Sequence, residues 1–229
     1  MLTIIKRILV AIAIISGIIL GVLFLQDRTK KIEDRNYKEI NKVIIDADTS
    51  DINIYKSKDE SVRVVAYGTA KDEVQIIEGS KYLTITKKTS KKTCFLNCKN
   101  EIDVYVPEDF DRLEIKVEEG NINVDRVTVK NIVANTELGN ISIYKTENVD
   151  LTSNTGNIYI NIIKATNNSS IKTEVGNINI TNTSNLKLEA KSETGSVVIP
   201  VIKEDQDFTL KIESKVGNID IIHHENKSK

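Results

Sequence analysis

Over most of its length the chain alternates aliphatic and polar residues with a period of two, the mark of strands that bury one face. The alternation is organised around a recurring Gly-Asn-Ile, at Gly120, Gly139, Gly156, Gly176 and Gly217, with Gly195-Ser196-Val197 as a variant copy. Two places after each glycine stand Ile122, Ile141, Ile158, Ile178, Val197 and Ile219; four places after stand Val124, Ile143, Ile160, Ile180, Ile199 and Ile221. Upstream, seven places before, are Leu113, Ile132, Val149, Ser169, Leu188 and Leu210, and five before are Ile115, Ala134, Leu151, Ile171, Ala190 and Ile212. Three before are Val117, Thr136, Ser153, Thr173, Ser192 and Ser214. Each unit therefore reads as a strand, a corner and a second strand, with side chains that shrink towards the corner. Glycine admits a positive φ there without steric cost, and the neighbouring Asn or Ser can bond its own backbone. Length variation is confined to the link between one unit and the next.

The same columns reappear further upstream. With Ser50 in the glycine's place, Val43, Ile45 and Ala47 precede the corner, Ile52 and Ile54 follow it, and Asp51 takes the Asn position. This predicts a divergent first coil. Alternating runs at 62–67, 74–77, 82–86 and 102–106 predict strands of a capping sheet, and Pro107, which cannot donate to a ladder, ends the last of them. The expected fold is all-β: a single-stranded, right-handed parallel β-solenoid whose successive turns stack equivalent residues into one dry interior. A hairpin meander is the alternative, since Gly-Asn is also a hairpin turn. Hairpins, however, do not require the same size gradient in every copy. The expected boundaries are 1–27 membrane anchor, 28–41 linker, 42–107 first coil and capping strands, 108–222 solenoid repeats and 223–229 flexible tail.

One segment breaks the alternation. Ile8 to Leu25 is a run without a charge, close in length to the ~20 residues with which a transmembrane helix crosses hydrocarbon. It is longer than a signal-peptide core, and no small-x-small pattern precedes Gln26, so an uncleaved signal-anchor is expected over a cleaved peptide. Lys6 and Arg7 on one side and Arg28, Lys30, Lys31 and Arg35 on the other do not orient it by charge. Few residues precede the run and most follow it, which predicts a single-pass protein of the cell membrane with its bulk extracytoplasmic. Lys plus Arg number 32 against 33 Asp plus Glu, a net charge of -1. No bulk field would gather nucleic acid, and no nucleic-acid partner is expected.

Val104-Tyr105-Val106-Pro107, then Leu113-Glu114-Ile115, then the iterated Gly-Asn-Ile-x-Val/Ile, resemble a bacterial domain-of-unknown-function family labelled "putative adhesin". LiaG-like membrane proteins of envelope-stress operons belong to it. The likeness covers roughly residues 43–222, and the chain departs from the family in having Gly-Asn where Gly-Asp is commoner. The resemblance implies a β-helix behind an N-terminal anchor and implies no enzymatic activity, cofactor or binding residue.

The candidate chemistry is sparse. The two histidines, His223 and His224, lie beyond the last repeat, so a catalytic triad or a His-rich metal site has no member inside the fold. Cys94 and Cys98 flank Phe95-Leu96-Asn97 in a stretch that reads as a loop tip, where an exported domain would form a short structural disulfide; the rival reading is free thiols or half of a zinc site, for which the sequence has no second Cys pair. Two places before each glycine stand Glu118, Glu137, Asn154, Glu174, Glu193 and Lys215, read as an outward acidic column that is either a weak cation contact or a solvated face. The column Asn121, Asn140, Asn157, Asn177 and Asn218 reads as a hydrogen-bonded ladder. The last coil, with Ile219, Ile221 and Ile222, has no evident cap and is expected to offer an open edge for self-association or partner docking. Together these predict a non-catalytic, adhesin-like surface module that meets a protein or cell-wall partner or assists envelope-stress sensing. The alternative is a carbohydrate-active β-helix enzyme, for which no short acidic cluster marks a site.

Overall fold

The computed structural model describes residues 30–69, 72–89, 100–184, 186–200 and 206–222, all strand or connection with no helix among them. The expected anchor at 8–25, the Cys94 and Cys98 pair and the tail with His223 and His224 lie outside the described residues. Among the described residues no helix is long and apolar enough to cross a membrane.

The strands are β1 (Lys30–Tyr37), β2 (Lys42–Thr49), β3 (Asp51–Lys56), β4 (Val62–Gly68), β5 (Glu73–Glu78), β6 (Tyr82–Lys88), β7 (Glu101–Val106), β8 (Phe110–Glu119) and β9 (Ile122–Leu138). They continue as β10 (Ile141–Thr155), β11 (Ile158–Lys164), β12 (Ser169–Val175), β13 (Ile178–Ser184), β14 (Leu186–Thr194), β15 (Val197–Val198), β16 (Phe208–Val216) and β17 (Ile219–Ile221). Lys30–Tyr37, within the stretch read as a linker, is thus a strand.

The glycine-centred copies pair in parallel, with Ile122, Ile141, Ile158 and Ile178 in one register, so the fold is a β-solenoid and the hairpin meander is excluded. The strand before the corner and the strand after it make two long faces. Their inward columns are buried throughout the middle of the molecule, from Leu113 and Ile132 on one face to Ile158 and Ile178 on the other. A third, short face escapes the sequence repeat. Phe110, Val129, Thr146, Ile163 and Thr183 stack in register and are all buried. Their distance from the glycine is disguised in β9, where Arg126 adopts a left-handed φ of 52° and the register slips against β10.

The rungs do not follow the order of the chain. On the upstream face the spatial order is β6, β2, β8, β9, β10, β12, β16, β14. On the downstream face it is β7, β3, β9, β10, β11, β13, β17, β15. We number these rungs one to eight. The runs at 82–86 and 102–106, expected in a capping sheet, form rung 1: Leu83 pairs with Val43, Ile85 with Ile45, and Val104 with Ile54. After β1 the chain enters the solenoid at rung 2, steps outward to rung 1, then crosses to rung 3. At the other end it passes from rung 6 to rung 8 and comes back to fill rung 7. Antiparallel strands close the rung 1 end, β5 against β6 on one face, β4 against β7 and β1 against β4 on the other.

This ordering corrects the expectation of an open last coil. Ile219 and Ile221 are 0 % and 2 % exposed because rung 7 is covered on both sides. Among the described residues the open end is rung 8, where the core-column residues Val197 and Ile199 are 39 % and 44 % exposed and no further rung stands beside them.

Candidate functional site

The corner is built for close approach rather than for ligand. A Cβ on Gly139 would lie 1.9 Å from the Gly120 carbonyl oxygen, and Gly120, Gly156, Gly176, Gly195 and Gly217 meet their neighbouring rung at 1.9–2.1 Å. Gly176 makes this approach without the positive φ of the others, so contact with the next rung is the requirement common to all six. The small residue three places upstream has a second role. Its hydroxyl donates to the neighbouring glycine carbonyl: Thr136 to Gly120, Ser153 to Gly139, Thr173 to Gly156, Ser214 to Gly176 and Ser192 to Gly217, at 2.7–3.2 Å. The Asn column is a ladder in which each backbone N–H donates to the side-chain Oδ1 of the rung before it. It runs Asp51, Asn121, Asn140, Asn157, Asn177, Asn218 and ends on Ser196.

The acidic column is not continuous. In spatial order it reads Glu118, Glu137, Asn154, Glu174, Lys215, Glu193, because rung 7 stands between rungs 6 and 8. Lys215 Nζ lies 2.5 Å from Glu174 Oε1, and this ion pair lowers the Glu174 pKa and raises that of Lys215, with Glu193 adding to the latter. Glu174 and Glu193, adjacent in the sequence reading, are separated by a cation, which breaks the column at that point. Among the described residues no group of three or more His, Cys, Asp or Glu could hold a metal ion.

A different surface has the makings of a site. The outward side chains of the downstream face form two rows across the rungs. One runs Asp103, Asn53, Asn123, Ser142, Tyr159, Asn179, and the other Tyr105, Tyr55, Asp125, Tyr144, Asn161, Thr181. Four of the seven tyrosines in the chain stand here, on the phase of the alternation that faces water. Tyr55 and Tyr105 are directly opposed with ring centroids 5.4 Å apart, and the Arg63 guanidinium lies 5.6 Å from the Tyr105 centroid. Arg63 is itself held by Asp34 through Nε at 2.8 Å and Nη2 at 3.0 Å, which drops the Asp34 carboxyl far below the usual range. Partial burial and the Asp103 carboxylate push the Tyr55 hydroxyl up.

Further along, Tyr144 and Tyr159 are diagonal neighbours, both exposed, over a shallow depression of about 340 Å³. Asn123, Ser142, Asn161, Asn179 and Thr181 complete its polar lining. Its single carboxylate, Asp125, is paired with Arg126 at 3.2 Å. The depression therefore offers two aromatic faces, amides and hydroxyls, and almost no net charge. It can stack on and hydrogen-bond a neutral polar ligand. The sequence reading passed over these tyrosines. An aromatic residue on the water-facing phase of a strand was the available signal.

One buried cation stands apart. Lys87 occupies the position of Ala47 and Val117 in rung 1, is 1 % exposed, and donates from Nζ to the Tyr67 carbonyl at 2.6 Å and to Asn100 Oδ1. Burial lowers its pKa to about 8, against opposing effects of Asp72 and Glu101. Asn100 Nδ2 in turn caps the Thr49 carbonyl at 2.5 Å, so Lys87 ties the glycine-less corner of rung 1 to rung 2.

Comparison with known proteins adds a family. The sequence profile of the family described as Toastrack DUF4097 matches residues 40–229. Among solved structures, a putative adhesin from Parabacteroides merdae superposes with a TM-score of 0.52 at 14 % identity, over 85 % of this chain and 81 % of its own. A putative cell adhesion protein from Clostridium sporogenes gives 0.49 at 12 %, over 84 % and 100 %. A putative adhesin from Bacteroides fragilis gives 0.48 at 20 %, over 84 % and 98 %. The first of these shares the fold; at such identity nothing more is carried over. No curated protein matches the sequence.

Proposed function

We propose that this chain, which belongs to the Toastrack DUF4097 family, is a non-catalytic, membrane-tethered surface module that binds a neutral polysaccharide of the cell envelope. The observation that carries the reading is the exposed Tyr144 and Tyr159 pair set among amides and hydroxyls. Aromatic rings present a large, rigid surface at low entropic cost, and their faces suit the C–H side of a sugar ring while the amides suit its hydroxyls. The description of the Parabacteroides merdae structure as a putative adhesin agrees with it. A glycosidase would need two carboxylates flanking the bond to be cut, and the one in the depression is neutralised by Arg126. Tethering by residues 8–25 and an extracytoplasmic location complete the proposal.

The test is co-sedimentation of the full-length protein with purified cell-wall polysaccharide. Tyr144→Ala with Tyr159→Ala should weaken retention at least about tenfold, the size of an aromatic hot spot, while Val175→Ser, outside the depression, leaves it unchanged. Equal retention by all three proteins rejects the face as the site, and release of new reducing ends by the wild type rejects the non-catalytic reading. Protease added to intact cells should digest the domain; protection would place it on the other side of the membrane.

A further inference from the structure

Rung 8 leaves one long strand edge, that of β14, with no partner among the described residues: β14 pairs with β16 alone on its face. Unpaired edges of this length are templates for another chain, and proteins usually guard them with charge. The charges on β14 are of a particular kind. Its outward residues are Lys187, Glu189, Lys191 and Glu193, alternating in sign about Ala190. A single-sign edge would repel every partner strand. This one repels a parallel in-register copy, which would set Lys on Lys, and the antiparallel registers one step either side, which oppose Lys187 to Lys191 or Glu189 to Glu193. In the antiparallel register centred on Ala190 every outward pair is matched, Lys187 with Glu193 and Glu189 with Lys191, twice over by symmetry.

We propose that β14 is the interface of a two-fold symmetric homodimer, with β14 of one copy pairing antiparallel to β14 of the other about Ala190. The same contact brings together the two open ends at which Leu188 and Ala190 are only partly buried and Val197 and Ile199 are exposed. The arrangement is isologous and closed.

Sedimentation of the full-length chain in detergent micelles tests this directly. At roughly 100 µM, where even a weak edge contact is populated, the wild type should be dimeric, and ~1 M salt, which shortens screening to ~3 Å, should dissociate it. Lys187→Glu alone and Glu193→Lys alone each place like charges opposite at both symmetric positions and should weaken the dimer about tenfold. Within its own chain Lys187 faces the neutral Thr209 and pairs with Glu189 of the same strand, whereas Glu193 lies beside Lys215 of rung 7, so Lys187→Glu is the exchange that leaves the attachment of rung 8 to rung 7 least disturbed. The double variant Lys187→Glu/Glu193→Lys should recover wild-type dimerisation, as should an equal mixture of the two single variants. A monomeric wild type, or single variants as dimeric as the wild type, or a double variant no better than the singles, overturns the proposal.

Discussion

At the scale of single residues, the corner and the buried lysine make the firmest demands. The corner glycines are required by a neighbouring carbonyl, and no flexible side chain stands there to give way. Gly139→Ala should therefore cost about 3 kcal/mol or more, the upper range for overpacking, read as a lowered urea midpoint with unchanged slope. The sequence showed that a glycine recurs, but offered turn geometry as the reason; the true reason depends on the rung beside it. The Thr and Ser three places upstream were legible as small, yet their hydroxyls matter because each donates to a half-buried glycine carbonyl of the neighbouring rung. Lys87 gives a pH signature. Its folded pKa of about 8 lies below the ordinary 10.5. Between those values the unfolded chain holds a proton that the folded chain has released, so stability rises with pH across that window. Urea midpoints at pH 8 and pH 10 should show this rise in the wild type and a smaller one in Lys87→Met, with contributions from tyrosines cancelling in the difference. An equal rise in both proteins would refute the assignment.

At the scale of elements, the faces were legible and their order was not. A period of two and a shared corner identify inward and outward columns in each copy, because only one phase can be buried. The copies present similar inward columns, mostly Ile, Leu and Val with an occasional Ala or Ser, which do little to tell one neighbouring rung from another. The outward charges carry the distinction. Rung 6 offers Ser170, Lys172 and Glu174, rung 7 Lys211, Glu213 and Lys215, and rung 8 Glu189, Lys191 and Glu193. Stacked in chain order, Lys172 would meet Lys191 and Glu174 would meet Glu193. In the observed order each meets its opposite, Lys172 with Glu213 and Glu213 with Lys191. The lysines on both sides hold the Glu213 carboxyl below its ordinary value, after the larger effect of Lys211 in its own strand. Each exposed pair contributes little, but the pairs all favour one order. Paired cysteines can read that order. Lys172→Cys/Glu213→Cys should form a disulfide under mild oxidation, since the two are directly opposed in neighbouring strands ~4.8 Å apart. Lys172→Cys/Lys191→Cys, two rungs apart, should not. The reverse result would restore stacking in chain order.

At the scale of the whole molecule, the ends differ in kind from the middle. The rung 1 end is sealed by antiparallel strands, and the rung 8 end is left as an alternating-charge edge; the tyrosine rows run along the side between them. The tyrosine face was in principle readable from phase alone, whereas the open end could not be found without knowing which coil is outermost. Solenoids ordinarily behave as a line of neighbours that can lose or gain a unit at either tip. Here the chain at the rung 8 tip reaches past a vacant place and doubles back to occupy it, so that this outermost coil is held by the coil after it in sequence, while at the other tip the chain starts one place in and turns outward before crossing to rung 3. Such a hem has a genetic consequence. A duplicated coil can be accommodated only within the interior stretch from β8 to β13, where chain order and spatial order agree, and lineages of this protein should have grown or shrunk there while both selvedges kept their length.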